Sequence, residues 1–154
     1  MSDKGLSDQE LMAMARSQKL KALHGCFMGV FSKDQLPVLR DNTCAIVNLE
    51  TSDLPGSHWV SCGVKNKQGW YFDSFGLDVP PLIIQKLPPK PVRVSRVIQA
   101  DDSTLCGLYA LGACEAVQRS DQSPSHSLLW YEKLFQRPIL DEHDQDLYRY
   151  FDSL

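Results

Sequence analysis

The chain has 154 residues, 43% of them hydrophobic and 23% charged, which is typical of one globular domain. Its net charge of −3 at pH 7 argues against nucleic-acid binding driven by bulk charge. A charged N-terminus unlike a signal peptide and the lack of a long apolar run argue against export and membrane insertion. We therefore expect a single soluble, intracellular domain over residues 1–154.

Five cysteines are present, and no two of them have C-x-x-C spacing. They are Cys26, Cys44, Cys62, Cys106 and Cys114. This spacing predicts neither a zinc cage nor a thioredoxin-type motif, and free thiols persist in reducing compartments. We expect no metal and no cofactor.

In the N-terminal half, helical and extended patterns alternate. Ser7 and Glu10 have the spacing of a capping box at the start of a helix. Residues 27–31 are expected to be a short extended segment, and the apolar, β-branched residues 43–49 a buried strand. Pro55-Gly56 indicates a turn.

The C-terminal half adds a second set of predicted elements. These are a short helix over residues 82–87, a strand over 93–99, a long helix over 106–119, a flexible loop over 120–127 and short helices over 130–135 and 143–151.

Residues 58–64 and 70–75 have the pattern of a β-hairpin with a polar loop. If that loop has an even number of residues, His58 and Asp73 point to the same face of the hairpin. Diagonal neighbours are about 7–8 Å apart, so Asp73 could accept the Nδ1 proton of His58. The alternative is that the two residues are simply polar side chains at strand ends near water. If the pair is considered alone, this alternative is favoured.

If the loop is only residues 66–67, His58 lies directly opposite Phe75 and Asp73 is its diagonal neighbour. The loop could also be residues 66–69, and the sequence leaves both lengths open.

Cys106 lies at the start of the predicted long helix. The unpaired N–H groups of a helix start favour a thiolate and can bind a developing oxyanion. Gly107 and Gly112 follow inside the helix, where glycine is unfavourable unless another group packs closely against it. A buried structural cysteine is the alternative.

Four motifs occur in order, C-A-I-V-N, G-S-H-W-V, Y-F-D-S-F-G and Q-x₆-C-G-L. From about residue 27 to residue 117, the chain resembles the adenovirus protease (adenain) family, with relatives in Polinton/Maverick-type elements and other large DNA viruses. That family shares a clan with the SUMO proteases, in which the order is histidine, acidic residue or Asn, glutamine, cysteine.

The resemblance implies four catalytic residues. They are Cys106 as the nucleophile, His58 as its base, Asp73 as the acidic partner of the histidine and Gln99 as an oxyanion donor. We assign Trp59 and Gly107, the neighbours of the base and the nucleophile, to substrate binding. Trp59 would narrow the cleft that leads to the nucleophile, so that a glycine of the substrate would fit there best.

The fold that follows from the patterns and the resemblance is α+β. A small mixed sheet packs against a central helix that starts at Cys106, with flanking helices, as in the adenain-like proteases. The implied activity is a cysteine endopeptidase that cleaves viral structural precursors, such as capsid precursors, at glycine-containing sites through a thioester. A viral enzyme of this kind would work in the host nucleus or cytoplasm, or in the virion.

The chain departs from adenain in three ways: it has Asp73 where adenain has Glu, it is shorter, and it has no cysteine between Asp73 and Gln99. Adenain uses a cysteine in that region to bind an activating peptide, so the need for a peptide or DNA activator stays open. The alternatives are an isopeptidase for ubiquitin or a ubiquitin-like modifier, and a catalytically inactive binding module with the same fold. A metal site of His58, Asp73 and Cys106 is a more distant one.

Overall fold

A computed structural model describes residues 5–50 and 58–154, and the turn predicted at Pro55-Gly56 lies outside these ranges. The helices are α1 (Asp8–Ala15), α2 (Pro81–Ile84), α3 (Cys106–Arg119), α4 (Pro124–Glu132) and α5 (His143–Asp152), with 3₁₀ segments at Gln18–Leu23 and Leu140–Glu142. The strands are β1 (Phe27–Ser32), β2 (Thr43–Asn48), β3 (Trp59–Lys65), β4 (Gln68–Phe72) and β5 (Val92–Arg93).

The five strands form one open sheet in the order β1-β2-β3-β4-β5. The central pairs β2–β3 and β3–β4 are antiparallel, whereas the outer pairs β1–β2 and β4–β5 are parallel. The predicted α+β class with a mixed sheet is therefore confirmed.

Both faces of the sheet are buried, and side chains alternate between these faces along each strand. Ile46 and Phe72 face a core that includes α1, α3, α4 and α5. Val47 and Tyr71 face a smaller core on the other side, closed by Ile83 of α2. Because β3 is central and covered on both sides, the residues at its start have a fixed position.

Strand β3 and helix α3 run side by side in the same direction. At one end the Trp59 backbone N–H donates to Cys106 Sγ at 3.5 Å. At the other end the Lys65 ammonium donates to the last carbonyl groups of the helix. These acceptors are Val117 (2.6 Å), Gln118 (3.2 Å) and Ser120. Seven strand residues and fourteen helix residues both span about 20 Å, so the two elements match in length.

The expected capping box at the start of α1 is confirmed. The Ser7 hydroxyl accepts from the Glu10 backbone N–H at 3.1 Å, and the Glu10 carboxylate accepts from the Ser7 N–H at 3.0 Å. The extended segment over 27–31, the strand over 43–49 and the helices over 106–119 and 143–151 also match observed elements within two residues.

The strand predicted over residues 93–99 is wrong, because β5 is only Val92–Arg93. The N–H groups of Ile98 and Gln99 both donate to the Ser74 carbonyl, at 2.8 and 3.1 Å, and not to a neighbouring strand. The β-branched residues of this stretch have the composition of a strand. Its two N–H groups share one carbonyl instead of forming a strand ladder, so the segment is irregular. The helix predicted over 82–87 is likewise reduced to the single turn of α2.

The loop predicted over residues 120–127 and the helix predicted over 130–135 are both misplaced. Helix α4 already begins at Pro124, where Ser123 caps it by accepting from the His126 N–H at 3.2 Å. A serine cap followed by proline at the first helical position is a strong start signal. It outweighs the polar composition that indicated a loop.

Replacing Lys65 by Met should lower the free energy of unfolding by about 1.5–3 kcal/mol, the usual contribution of hydrogen bonds to a charged group. The ammonium is nearly buried, so the carbonyl groups at the end of α3 would lose their donor. Urea denaturation measures this. Lys67→Met, on the exposed turn next to it, is the matched control, and an equal effect of both variants would contradict the role of Lys65.

Candidate active site

The β3–β4 hairpin brings His58 and Asp73 together. Its turn is the two residues Asn66 and Lys67, whose φ values of 51° and 65° are typical of a tight hairpin turn. The strand pairing ends at Ser61 and Phe72, and beyond it the rings of His58 and Phe75 stack with centroids 4.8 Å apart, as the register of the two-residue alternative predicts.

Asp73 is fully buried and accepts two hydrogen bonds through one oxygen, Oδ1. The donors are His58 Nε2 at 2.8 Å and the Phe75 N–H at 2.9 Å. The prediction of an Asp73–His58 pair is confirmed, but the prediction that Nδ1 makes the contact is wrong. Strand pairing fixes the face of a side chain and not its ring rotation, and the more distant Nε2 is better able to span a diagonal pair.

His58 is held between two acceptors. Burial lowers its pKa, but hydrogen bonds, first with Asp73 and then with Cys106, outweigh burial and raise the pKa to about 9. The imidazole is therefore a cation at neutral pH, and both of its ring nitrogens carry a proton. Nε2–H donates to Asp73, and Nδ1–H is available to the Cys106 sulfur. This is the arrangement of a nucleophile beside its base.

Cys106 is the first residue of α3 and is partly exposed. The Trp59 N–H donates to its sulfur, a contact that sequence reasoning missed. Within the described residues, no side chain caps this end of α3, where Leu105 is the N-cap residue. The first N–H groups of the helix are therefore available to an anion.

Gln99 is buried and its side-chain amide is held at both ends. Its Oε1 accepts from the Ser74 hydroxyl at 2.5 Å, and its Nε2 donates to the Ser103 carbonyl at 2.9 Å. An amide nitrogen carries two N–H donors, so this contact occupies only one of them. Sequence reasoning missed Ser74 and Ser103, although each is a polar residue within five positions of a predicted site residue.

The glycines of α3 are explained by close packing, as predicted. A Cβ on Gly107 would lie 3.1 Å from the Leu11 side chain and 3.3 Å from the Trp59 ring, and a Cβ on Gly112 would collide with the Tyr131 hydroxyl. Gly107 thus lets Trp59 lie against the start of α3. The assignment of Trp59 and Gly107 to substrate binding stays a prediction.

The other four cysteines are buried, and one of them has an unusual thiol. A hydrogen bond with Cys44 lowers the pKa of Cys26 to about 6, against the effect of burial, and Gln118 and Lys65 add to the lowering. Burial raises the pKa of Cys44 and Cys62. Nothing in the sequence around Cys26 indicated this, because it depends on contacts between separate elements.

Across residues 5–50 and 58–154, no group of three or more histidine, cysteine and acidic side chains could hold a metal ion. The helices of the same ranges include none that is both long and apolar enough to cross a membrane. No protein-family model matches the chain, and no curated protein matches it.

The histidine can be tested directly by NMR titration of its ring protons. We expect His58 to titrate at about pH 9 and the pKa to fall in Asp73→Asn and in Cys106→Ala, since each removes one raising hydrogen bond. A pKa near 6.5 in the unmodified protein would contradict the described geometry.

The same shift makes stability depend on pH. The folded protein binds the His58 proton more tightly than the unfolded chain, whose histidine has a pKa of about 6.5. This contribution to stability is fully present below pH 6.5 and is lost as pH rises through about 9. Urea denaturation at pH 6 and pH 9.5 measures it, and the loss should shrink in Asp73→Asn.

Proposed function

We propose that the protein is a cysteine endopeptidase of the adenain-like type, with Cys106, His58, Asp73 and Gln99 as its catalytic residues. One observation carries the proposal. His58 is hydrogen-bonded through Nε2 to a buried aspartate, and the Cys106 thiol at an uncapped helix N-terminus is near enough to the same ring to raise its pKa. Nucleophile, base and orienting group are then in one chain of contacts.

In the proposed mechanism Cys106 reacts in its thiolate form beside protonated His58. The Cys106 thiolate attacks the carbonyl carbon of the scissile peptide bond, and the His58 Nδ1–H protonates the leaving amine as the C–N bond breaks. The products of this step are a thioester on Cys106, a free amine and a neutral His58. Asp73 keeps the ring oriented throughout through Nε2.

Deacylation uses the same residues in reverse. Neutral His58 takes a proton from water, and the resulting hydroxide attacks the thioester carbonyl. The C–S bond breaks, the acid product leaves, and the thiolate–imidazolium pair is restored. The ring needs no further adjustment, because the hydrogen bond to Asp73 and the stacked Phe75 ring hold it in place.

Both steps form a negatively charged oxygen, which the start of α3 and Gln99 can stabilise. The N–H of Cys106 is among the free donors of the helix, and the second Nε2–H of Gln99 is the other donor. Because Ser74 and Ser103 orient the amide in advance, little reorganisation is needed as charge develops.

The substrate class is proposed from the resemblance and from Trp59. Its indole packs on Gly107 beside the nucleophile, and we expect it to limit the room for a substrate side chain there. Glycine-containing sites in viral structural precursors fit this constraint. A peptide activator and nucleic acid are tested as additions to the assay.

The decisive experiment combines glycine-containing peptides, ubiquitin-like fusions and intact-mass detection of the acyl-enzyme. We expect peptide cleavage that iodoacetamide and Cys106→Ala both abolish. Cys26→Ala is the matched control, because it removes the thiol whose pKa is lowered to about 6 and should keep activity. Cleavage of the fusions alone would indicate an isopeptidase, and no acyl-enzyme with any substrate or addition would indicate a binding module.

Gln99→Ala should lower kcat by on the order of 10²–10³ with little change in KM, because the amide acts only once negative charge develops. Gln99→Glu should be at least as harmful, since it places an acceptor where a donor is needed. Steady-state kinetics on a variant with an unchanged circular-dichroism spectrum measures this. Near-normal kcat in Gln99→Ala would remove Gln99 from the site.

A further inference from the structure

The segment of residues 98–105 carries Gln99 and ends at the nucleophile, yet it has no regular secondary structure. Its first two N–H groups share the Ser74 carbonyl, and the Ser103 N–H donates to the Ala100 carbonyl at 3.0 Å. A stretch with so few backbone bonds needs side chains from elsewhere to hold it.

Helix α5 supplies those side chains from its first turn. His143 is buried, and its Nδ1 lies 2.7 Å from the Ile98 carbonyl oxygen while its Nε2 lies 2.7 Å from that of Arg137. The ring thus joins the start of the segment to the chain just before α5.

Asp144, the next residue, contacts both the segment and the catalytic helix. Its Oδ1 accepts from the Ser103 hydroxyl at 3.0 Å and from the Tyr109 hydroxyl at 2.8 Å. Tyr109 lies one turn after Cys106 on α3. One carboxylate oxygen therefore ties residues 98–105 to the helix that carries the nucleophile.

Ser103 passes this constraint to the oxyanion donors. Its carbonyl accepts from Gln99 Nε2 at 2.9 Å, and its hydroxyl oxygen accepts from the Leu105 N–H at 3.3 Å. Because the hydroxyl proton goes to Asp144, the oxygen lone pairs are turned toward Leu105. Leu105 immediately precedes Cys106, so both donors of the oxyanion site depend on the orientation of Ser103.

We propose that Asp144 is a positioning residue that sets the oxyanion site through Ser103 and Tyr109. This inference rests on the proposed function, since it concerns donors that act in that reaction. Asp144 does not reach the reacting atoms, and it acts only through the geometry of Gln99 and Cys106. Its effect should therefore appear in the step that develops charge and not in the reactivity of the thiol.

Asp144→Ala should lower kcat by on the order of 10- to 10²-fold with KM little changed, as expected when catalytic groups are slightly misplaced. Asp144→Asn keeps an oxygen acceptor and should restore most of kcat. Asp152→Ala, an exposed acidic residue at the other end of α5, is the matched control and should match the unmodified protein.

A second measurement separates positioning from general damage. The rate of Cys106 alkylation by iodoacetamide should be unchanged in Asp144→Ala, because that reaction develops no oxyanion. Equal losses in kcat and alkylation, or an unchanged kcat, would overturn the proposal.

Hydrogen exchange tests the tether without relying on activity. The Leu105 amide, which donates to the Ser103 hydroxyl, should exchange faster in Asp144→Ala than in Asp152→Ala. Unchanged exchange would overturn the tether even if the enzyme is active. Faster exchange in a protein that hydrolyses no substrate would support the tether while refuting the proposed function.

Discussion

The candidate site depends on the alignment of α3 along β3. The two elements run in the same direction with nearly equal lengths, and a contact holds each end. Lys65 binds the last carbonyl groups of the helix, and the Trp59 N–H binds the Cys106 sulfur at its start. Small residues in α3, Gly107 and Gly112 among them, allow neighbouring side chains to come close. If the helix shifted along its axis by one turn, Cys106 would be displaced by about 5.4 Å from its position beside His58.

The buried carboxylate of Asp73 sets the protonation state of the histidine that this alignment brings to Cys106. A buried aspartate needs partners. Its Oδ1 has them in the His58 ring and the Phe75 N–H, whereas Oδ2 has no hydrogen-bond donor in the described part of the chain. The pairing keeps His58 protonated at neutral pH despite the burial that opposes its charge. The hairpin thus positions the His58 ring beside the thiol, and Asp73 keeps that ring charged.

The parts of the site that are local in sequence could be predicted from it. Strand parity gave the common face of His58 and Asp73, and the glycine-rich helix start gave the position of Cys106. Contacts between distant elements could not be predicted. The nitrogen that His58 offers, the Lys65 contact with α3 and the tie from Asp144 to Ser103 all depend on ring rotations or on packing. The irregular segment after β5 escaped for the same reason, since Ser74, 24 positions before Ile98, organises it.

The two-residue turn at Asn66 and Lys67 sets which residues of β3 and β4 pair. Side chains alternate between the two faces of a strand, so a shift of one residue in hairpin pairing exchanges those faces. A one-residue insertion or deletion that kept a two-residue turn would make the pairing slip by one residue, and it would send His58 and Asp73 to opposite sides of the sheet without touching either residue. The strand pairing that this turn sets, far from the thiol, is therefore as much a part of the candidate site as the residues that line it.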